Sequence, residues 1–121
     1  MTFRLTWPGV SLLVAGSVVD VRVEWEGRWL VVREDEAPPA VDGTIRTHGL
    51  WLSLVCETPG EHWSVVLESF ALAVDHPDDA RGDLVPLGLD VEWEAPGHVH
   101  GDLLVGDEVV AVDAPGELSA D

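Results

Sequence analysis

Between Val19 and Trp25, and again between Leu87 and Trp93, apolar and polar residues alternate one by one. Val19, Val21, Val23 and Trp25 stand against Asp20, Arg22 and Glu24, and Leu87, Leu89, Val91 and Trp93 stand against Gly88, Asp90 and Glu92. A period of two puts each set on its own face of an extended chain, and a helix with 3.6 residues per turn sorts side chains differently. No window of the sequence carries a rival 3.6-residue stripe. The chain is therefore read as all-β.

Punctuation between the alternating runs divides them into strands. Phe3, Leu5 and Trp7 share one face of a first strand that Pro8-Gly9 ends, and a short apolar piece follows around Val10–Ala15. Gly27-Arg28 reads as a hairpin turn from the run ending at Trp25 into Trp29–Arg33. Glu34–Pro39 is a solvated loop, because its charges and prolines oppose a hydrogen-bonded ladder. Thr44–His48, Leu50–Glu57 and the long run Trp63–Val74 follow. After the loop Asp75–Asp83, Leu87–Trp93 turns through Ala95-Pro96-Gly97 into His98–Val105, which pairs with Glu108–Asp113 across Gly106-Asp107. About eight to ten short strands at such spacing predict a small antiparallel β-barrel, with a sandwich as the alternative. Residues 1–113 are expected to form the single domain and residues 114–121 a flexible tail.

Some of these runs are apolar on both faces. In Leu50-Trp51-Leu52 and Val65-Val66-Leu67 one face must meet something other than water: a ligand cavity, a second sheet or another subunit. With 121 residues, 46% of them apolar, and six Trp, the chain has the means to bury one core. Its net charge of −17, from 23 acids against 6 Arg, repels phosphate backbones and anionic lipid. Nucleic acid and membrane are therefore not expected partners. Cys56 is alone, so it can form neither an intrachain disulfide nor a cysteine cluster, and it is read as a small buried hydrophobe. No basic segment precedes an apolar stretch at the beginning of the sequence, and no apolar run approaches membrane-spanning length; the expected location is the cytoplasm.

Chemistry-bearing residues are few. VEWE occurs twice, at Val23–Glu26 and Val91–Glu94. Paired same-face carboxylates can serve as an acid/base couple or bind a hard cation, but in so acidic a chain they read as the water side of an amphipathic strand. His98-Val99-His100-Gly101-Asp102 projects two imidazoles and a carboxylate to one strand face, the types a metal would use. A cupin-type site opens with the same H-x-H but needs a Glu four residues after the second His, where Leu104 stands. The expectation is accordingly no metal and no cofactor. The acids of Asp75–Asp83 lack EF-hand spacing and form an exposed loop, with Arg81 pairing one of them. There is no G-x-S-x-G elbow, P-loop or G-x-G-x-x-G.

The run Trp63–Gly116 resembles the lipocalin-like proteins related to hydroxyneurosporene synthase, a carotenoid hydratase, and the AttH-like group. The matching elements are a Trp-opened strand, the VPLGLDVEWE segment and the HGDLLVGDE hairpin. The resemblance implies a barrel around an apolar cavity and chemistry on polyenes or polyketides. Those proteins continue from this hairpin into an Arg-Asp-His-Ser-Trp stretch, where this sequence reads APGELSAD, so no catalytic residue carries over. The expected function is a β-barrel, homodimeric, that encloses an apolar small molecule between Trp-rich walls. Any catalysis would be cofactor-free cyclisation, isomerisation or hydration. Trp51, Trp63 and Trp93 are the expected ligand-binding residues, and His98 and His100 the expected proton carriers. A non-catalytic protein-interaction module and a metal-dependent cupin-like enzyme are the rivals.

Overall fold

The computed structural model describes residues 1–121 and consists of strands and connecting turns, with no helix. In chain order the strands are β1 (Thr2–Trp7), β2 (Val10–Ala15), β3 (Val18–Trp25), β4 (Arg28–Glu34), β5 (Thr44–Thr47), β6 (Leu50–Thr58), β7 (His62–Val74), β8 (Asp83–Glu94), β9 (His98–Val105), β10 (Glu108–Pro115) and β11 (Glu117–Ala120). All pairings are antiparallel. The continuous path runs β10-β9-β8-β7-β4-β3-β2-β1-β11, a nearly closed barrel of nine strands.

Two devices shape this barrel. The first is a strand shared between two neighbours. Only Gly116 separates β10 from β11; β10 pairs with β9 from Glu108 to Pro115, and β11 pairs with β1, Leu118 opposite Leu5. The chain thus changes partner at Gly116 and joins the two ends of the sheet. No side chain fits there, since a Cβ would lie 2.4 Å from Val99 Cγ2 and 2.9 Å from the Thr6 carbonyl oxygen. Residues 114–121 are therefore not the flexible tail expected from Ala114-Pro115-Gly116. The glycine is a kink at a crowded crossing, and Leu118 beyond it packs on the core.

The second device is a fork. β7 pairs with β8 along its whole length, but gives its other edge first to β6 (His62 to Ser69) and then to β4 (Leu72 to Val74). The β5–β6 hairpin consequently branches off the main path at β7, and its Ile45, Leu50, Leu52 and Leu54 pack into the core. Cys56 lies on β6 beyond the reach of β5, which covers only Leu50–Ser53, and it is exposed instead of buried as the sequence suggests.

Alternation decides the interior. Phe3 and Leu5, Leu12 and Val14, Val19, Val21 and Val23, Leu30 and Val32, and Leu87, Leu89 and Val91 all point inward, within one cluster of 28 buried residues. Burying each such Leu, Val or Phe is worth about 1.5–3 kcal/mol. The interior of the barrel is thus occupied by the chain's own side chains. The β3–β4 hairpin turns at Glu26-Gly27, with φ of 51° and 79° and Trp25 opposite Arg28, one residue earlier than the sequence suggests. Positive φ at both central residues gives the two-residue turn whose twist matches the strands.

Asp20 is the only buried charged residue, 5% exposed. Its carboxylate accepts from Arg22 Nε at 3.0 Å and from an Arg33 Nη at 2.8 Å. Arg33 also donates to Asp35 at 2.8 Å, and the hydrogen bond to Asp20, followed by that to Asp35, raises its pKa above the usual guanidinium value. The pairing satisfies the charge that the fold encloses. Asp75 at the head of the acidic loop is paired by Arg28 at 3.0 Å, not by Arg81.

Candidate functional site

Where β7 changes partner from β6 to β4, the wall opens into two clefts astride the β5–β6 turn. One, of about 700 Å³, is bounded by Val31 and Arg33 of β4, Thr47 and Leu50 of the turn, Phe70 and Leu72 of β7 and the loop residues Pro77–Ala80. The other, of about 610 Å³, lies on the far side of the same turn and includes Arg46, His48, Trp51, Glu68 and Phe70. The clefts share Thr47, Gly49, Leu50 and Phe70. Phe70 is 58% exposed in spite of its size. Its strand position explains this: Ala71 points into the core, so Phe70 must point out, and the backbone N–H of Phe70 is fixed to the Gly49 carbonyl at 3.2 Å.

The linings are mixed, and the larger cleft is bordered mostly by polar and charged groups, among them Arg22, Arg33, Glu34, Asp35, Asp78 and Asp79. Leu50 and Leu72 supply aliphatic surface, Trp51 and Phe70 supply aromatic faces, and Arg46, His48 and Glu68 border the second cleft. An aromatic wall beside a guanidinium and an imidazole suits a largely apolar molecule with one polar end.

A separate constellation occupies the outer face of β7–β10. The turn Ala95-Pro96-Gly97 sets Glu94 directly opposite His98, and the same register sets Glu92 opposite His100. His62 Nε2 lies 2.6 Å from Glu92 Oε1, His98 Nε2 2.5 Å from Asp113 Oδ1, and His100 Nε2 3.4 Å from Glu94 Oε2. The rings of His98 and His100 stack, with centroids 5.3 Å apart and planes inclined by 24°. Gly101 lets β9 press against β8 at this point. Its φ is +139°, and a Cβ would stand 2.2 Å from the Asp90 carbonyl oxygen.

The five residues expected from sequence fall in three different environments. Trp51 faces outward, half-buried, between Arg46 and Glu68 on the neighbouring strands, and lines the second cleft. Trp63 is half-buried and packs on Phe3, ring centroids 5.2 Å apart. Trp93, opposite Trp63 in register, is buried and donates its indole N–H to the Gly116 carbonyl at 3.1 Å. His98 and His100 stand on the outer face of β9, on the other side of the wall from Trp93. The Trp and His residues are thus not gathered around one cavity. Asp102 points outward with the two His but lies opposite Asp90, and the carboxylate that joins the imidazoles is that of Glu94.

Sequence reasoning missed Phe70, His48, Arg46 and the role of Glu94. Phe70 carries no signal, since it lies inside the long apolar run Trp63–Val74 and nothing local marks it as outward-facing. Glu94 did carry one: a three-residue turn between Glu94 and His98 forces them opposite. Comparison of the chain with models of known protein families, with curated proteins and with solved structures finds no match.

Proposed function

We propose that this protein is a lipocalin-like barrel that binds an apolar small molecule, polyene- or polyketide-like, in the paired clefts around Phe70. The observation that carries the reading is the exposure of Phe70 at the fork of β7, with Trp51 and Leu72 beside it. A large aromatic side chain held in water between two clefts is surface the fold could have covered and did not. The resemblance of Trp63–Gly116 to the carotenoid hydratase and AttH-like group points to the same class of ligand. Because the barrel interior is filled by the core, the ligand is assigned to the open clefts. If the bound molecule is transformed, the chemistry is cofactor-free isomerisation, cyclisation or hydration, and His48 is the imidazole on the cleft rim.

Titration with a panel of polyenes, followed by tryptophan fluorescence, tests this. The expected result is saturable quenching that Trp51→Phe reduces and Phe70→Ser weakens by tenfold or more. Quenching unaffected by both substitutions, or absent across the panel, overturns it.

A second reading, a homodimer or protein-interaction module, has its own observation. Leu84 is 68% exposed and Val109 63%, and Leu104, opposite Val109 in register, is 38% exposed, all on the outer face of β8–β10. Sedimentation of the wild type and of Leu84→Asp and Val109→Asp separates the readings. A dimer that these changes dissociate supports association through this face, and a wild type that sediments as a monomer at all concentrations ends it for self-association.

A further inference from the structure

We propose that Glu94, His98 and His100 form a binding site for a borderline divalent cation such as Zn²⁺ on the outer face of β8 and β9. One ligand atom from each residue lies within 4.8 Å of the other two. His100 Nε2 and Glu94 Oε2 are 3.4 Å apart. Two donors each bound at ~2.1 Å to a tetrahedral ion are separated by ~3.4 Å, so this pair already has the spacing that coordination requires. Two imidazoles and a carboxylate, with no thiolate, are a donor set for Zn²⁺, Co²⁺, Ni²⁺ or Fe²⁺ in preference to Ca²⁺ or Mg²⁺.

The surroundings fit the same assignment. Asp113, on the strand flanking β9, lies 2.5 Å from His98 Nε2. In the tautomer whose Nε2–H donates to Asp113, Nδ1 is the His98 nitrogen with a lone pair for an ion. A carboxylate behind a metal-binding imidazole fixes its tautomer and ring orientation. The ligands come from paired strands, not from a mobile loop: β9 is hydrogen-bonded on both edges, to β8 and to β10. The local charge is strongly negative, with Asp90 directly opposite Asp102 and Glu92 opposite His100. Like charges placed opposite one another are unfavourable, and a cation nearby reduces that cost.

Three protein ligands leave a coordination position open to solvent, so the site has the form of one that holds a water or a small ligand. The cupin rule fails because it looks for the third ligand downstream of the histidines and inside a barrel. Here the third ligand precedes them, across a hairpin turn, on the outside.

The test uses the full chain free of any histidine tag, stripped with chelator and titrated with Zn²⁺ against a chromophoric competitor. Co²⁺ serves as a spectroscopic probe. The expected result is one equivalent bound, with Co²⁺ giving the intense visible absorption of a low-symmetry four-coordinate ion. His98→Ala and His100→Ala should each weaken binding by a hundredfold or more. Glu94→Gln should weaken it clearly, and Asp113→Asn by about tenfold. His62→Ala, which removes the neighbouring imidazole paired with Glu92, should leave it unchanged. All five positions are on the outer face, and an unchanged circular dichroism spectrum shows that each variant is folded. Failure to bind an equivalent of Zn²⁺, or binding that survives His98→Ala and His100→Ala, overturns the proposal. So does an equal loss with His62→Ala, which would mark diffuse attraction to an acidic surface.

Discussion

The two copies of VEWE have the same four residues and the same inward and outward assignment, and they differ in almost everything else. In Val23–Glu26 the Trp is at the end of its strand, half-buried, and the last Glu occupies the turn at φ 51°. Across from it stand Arg28 and Trp29. In Val91–Glu94 the strand is flanked on both sides, Trp93 is 8% exposed and hydrogen-bonded to the closing glycine, and the two Glu meet His62, His98 and His100. Local sequence sets which way a strand residue points, and the register of the neighbouring strands sets what it meets there. A tetrapeptide by itself is therefore neither a site nor a repeat.

The contrast can be broken most readily at the tryptophans. Trp93→Ala should destabilise the fold by about 3–5 kcal/mol, and Trp25→Ala, on a half-exposed ring, by roughly 1–2 kcal/mol, both by urea denaturation. Equal losses would mean that burial does not distinguish the copies. Next in size, Zn²⁺ at a hundred times its dissociation constant should stabilise the wild type by about 2.7 kcal/mol. That gain should shrink clearly in Glu94→Gln and persist in Glu26→Gln, as followed by thermal melting. The closing crossing comes third: Gly116→Ala forces a methyl group against Val99 and the Thr6 carbonyl and should cost about 1–3 kcal/mol, whereas Gly27→Ala meets no neighbour and changes only turn strain. The smallest effect belongs to the acids. Glu92→Gln loses an exposed pairing with His62 and should lower stability by about 0.2–1 kcal/mol, while Glu24→Gln should be silent.

Much of the architecture was legible, for a physical reason. Alternation reports faces, and Ala95-Pro96-Gly97 and Gly106-Asp107 mark turns, with Gly27 marking a third to within one residue, so the order of strands follows from residues close in sequence. What could not be read is set by residues far apart. Pro115-Gly116 looks like an ending, and only the approach of Val99 and Thr6 makes it a kink between two strands. Cys56 is exposed because β5 is too short to cover it. Phe70 lines clefts because β7 changes partner beside it, which no local pattern announces. Of the expected site residues, Trp51 reaches a cleft, Trp93 serves closure, and the two His stand on the outer face of β9, across the wall from Trp93.

The crossing at Gly116 also bears on how the chain reaches this state. β1 pairs with β11, so Thr2 hydrogen-bonds Asp121 and residues more than a hundred positions apart must meet before the barrel is sealed. Contacts of such long sequence separation come at a high entropic cost and slow folding. Until they form, β1 presents one edge unpaired, although Phe3 and Leu5 on it belong to the deepest core. The interval before closure is thus the time in its life when this molecule is most exposed to mispairing with another chain. The dense negative charge, which takes no part in the fold's interior beyond Asp20, is well suited to keeping such encounters apart.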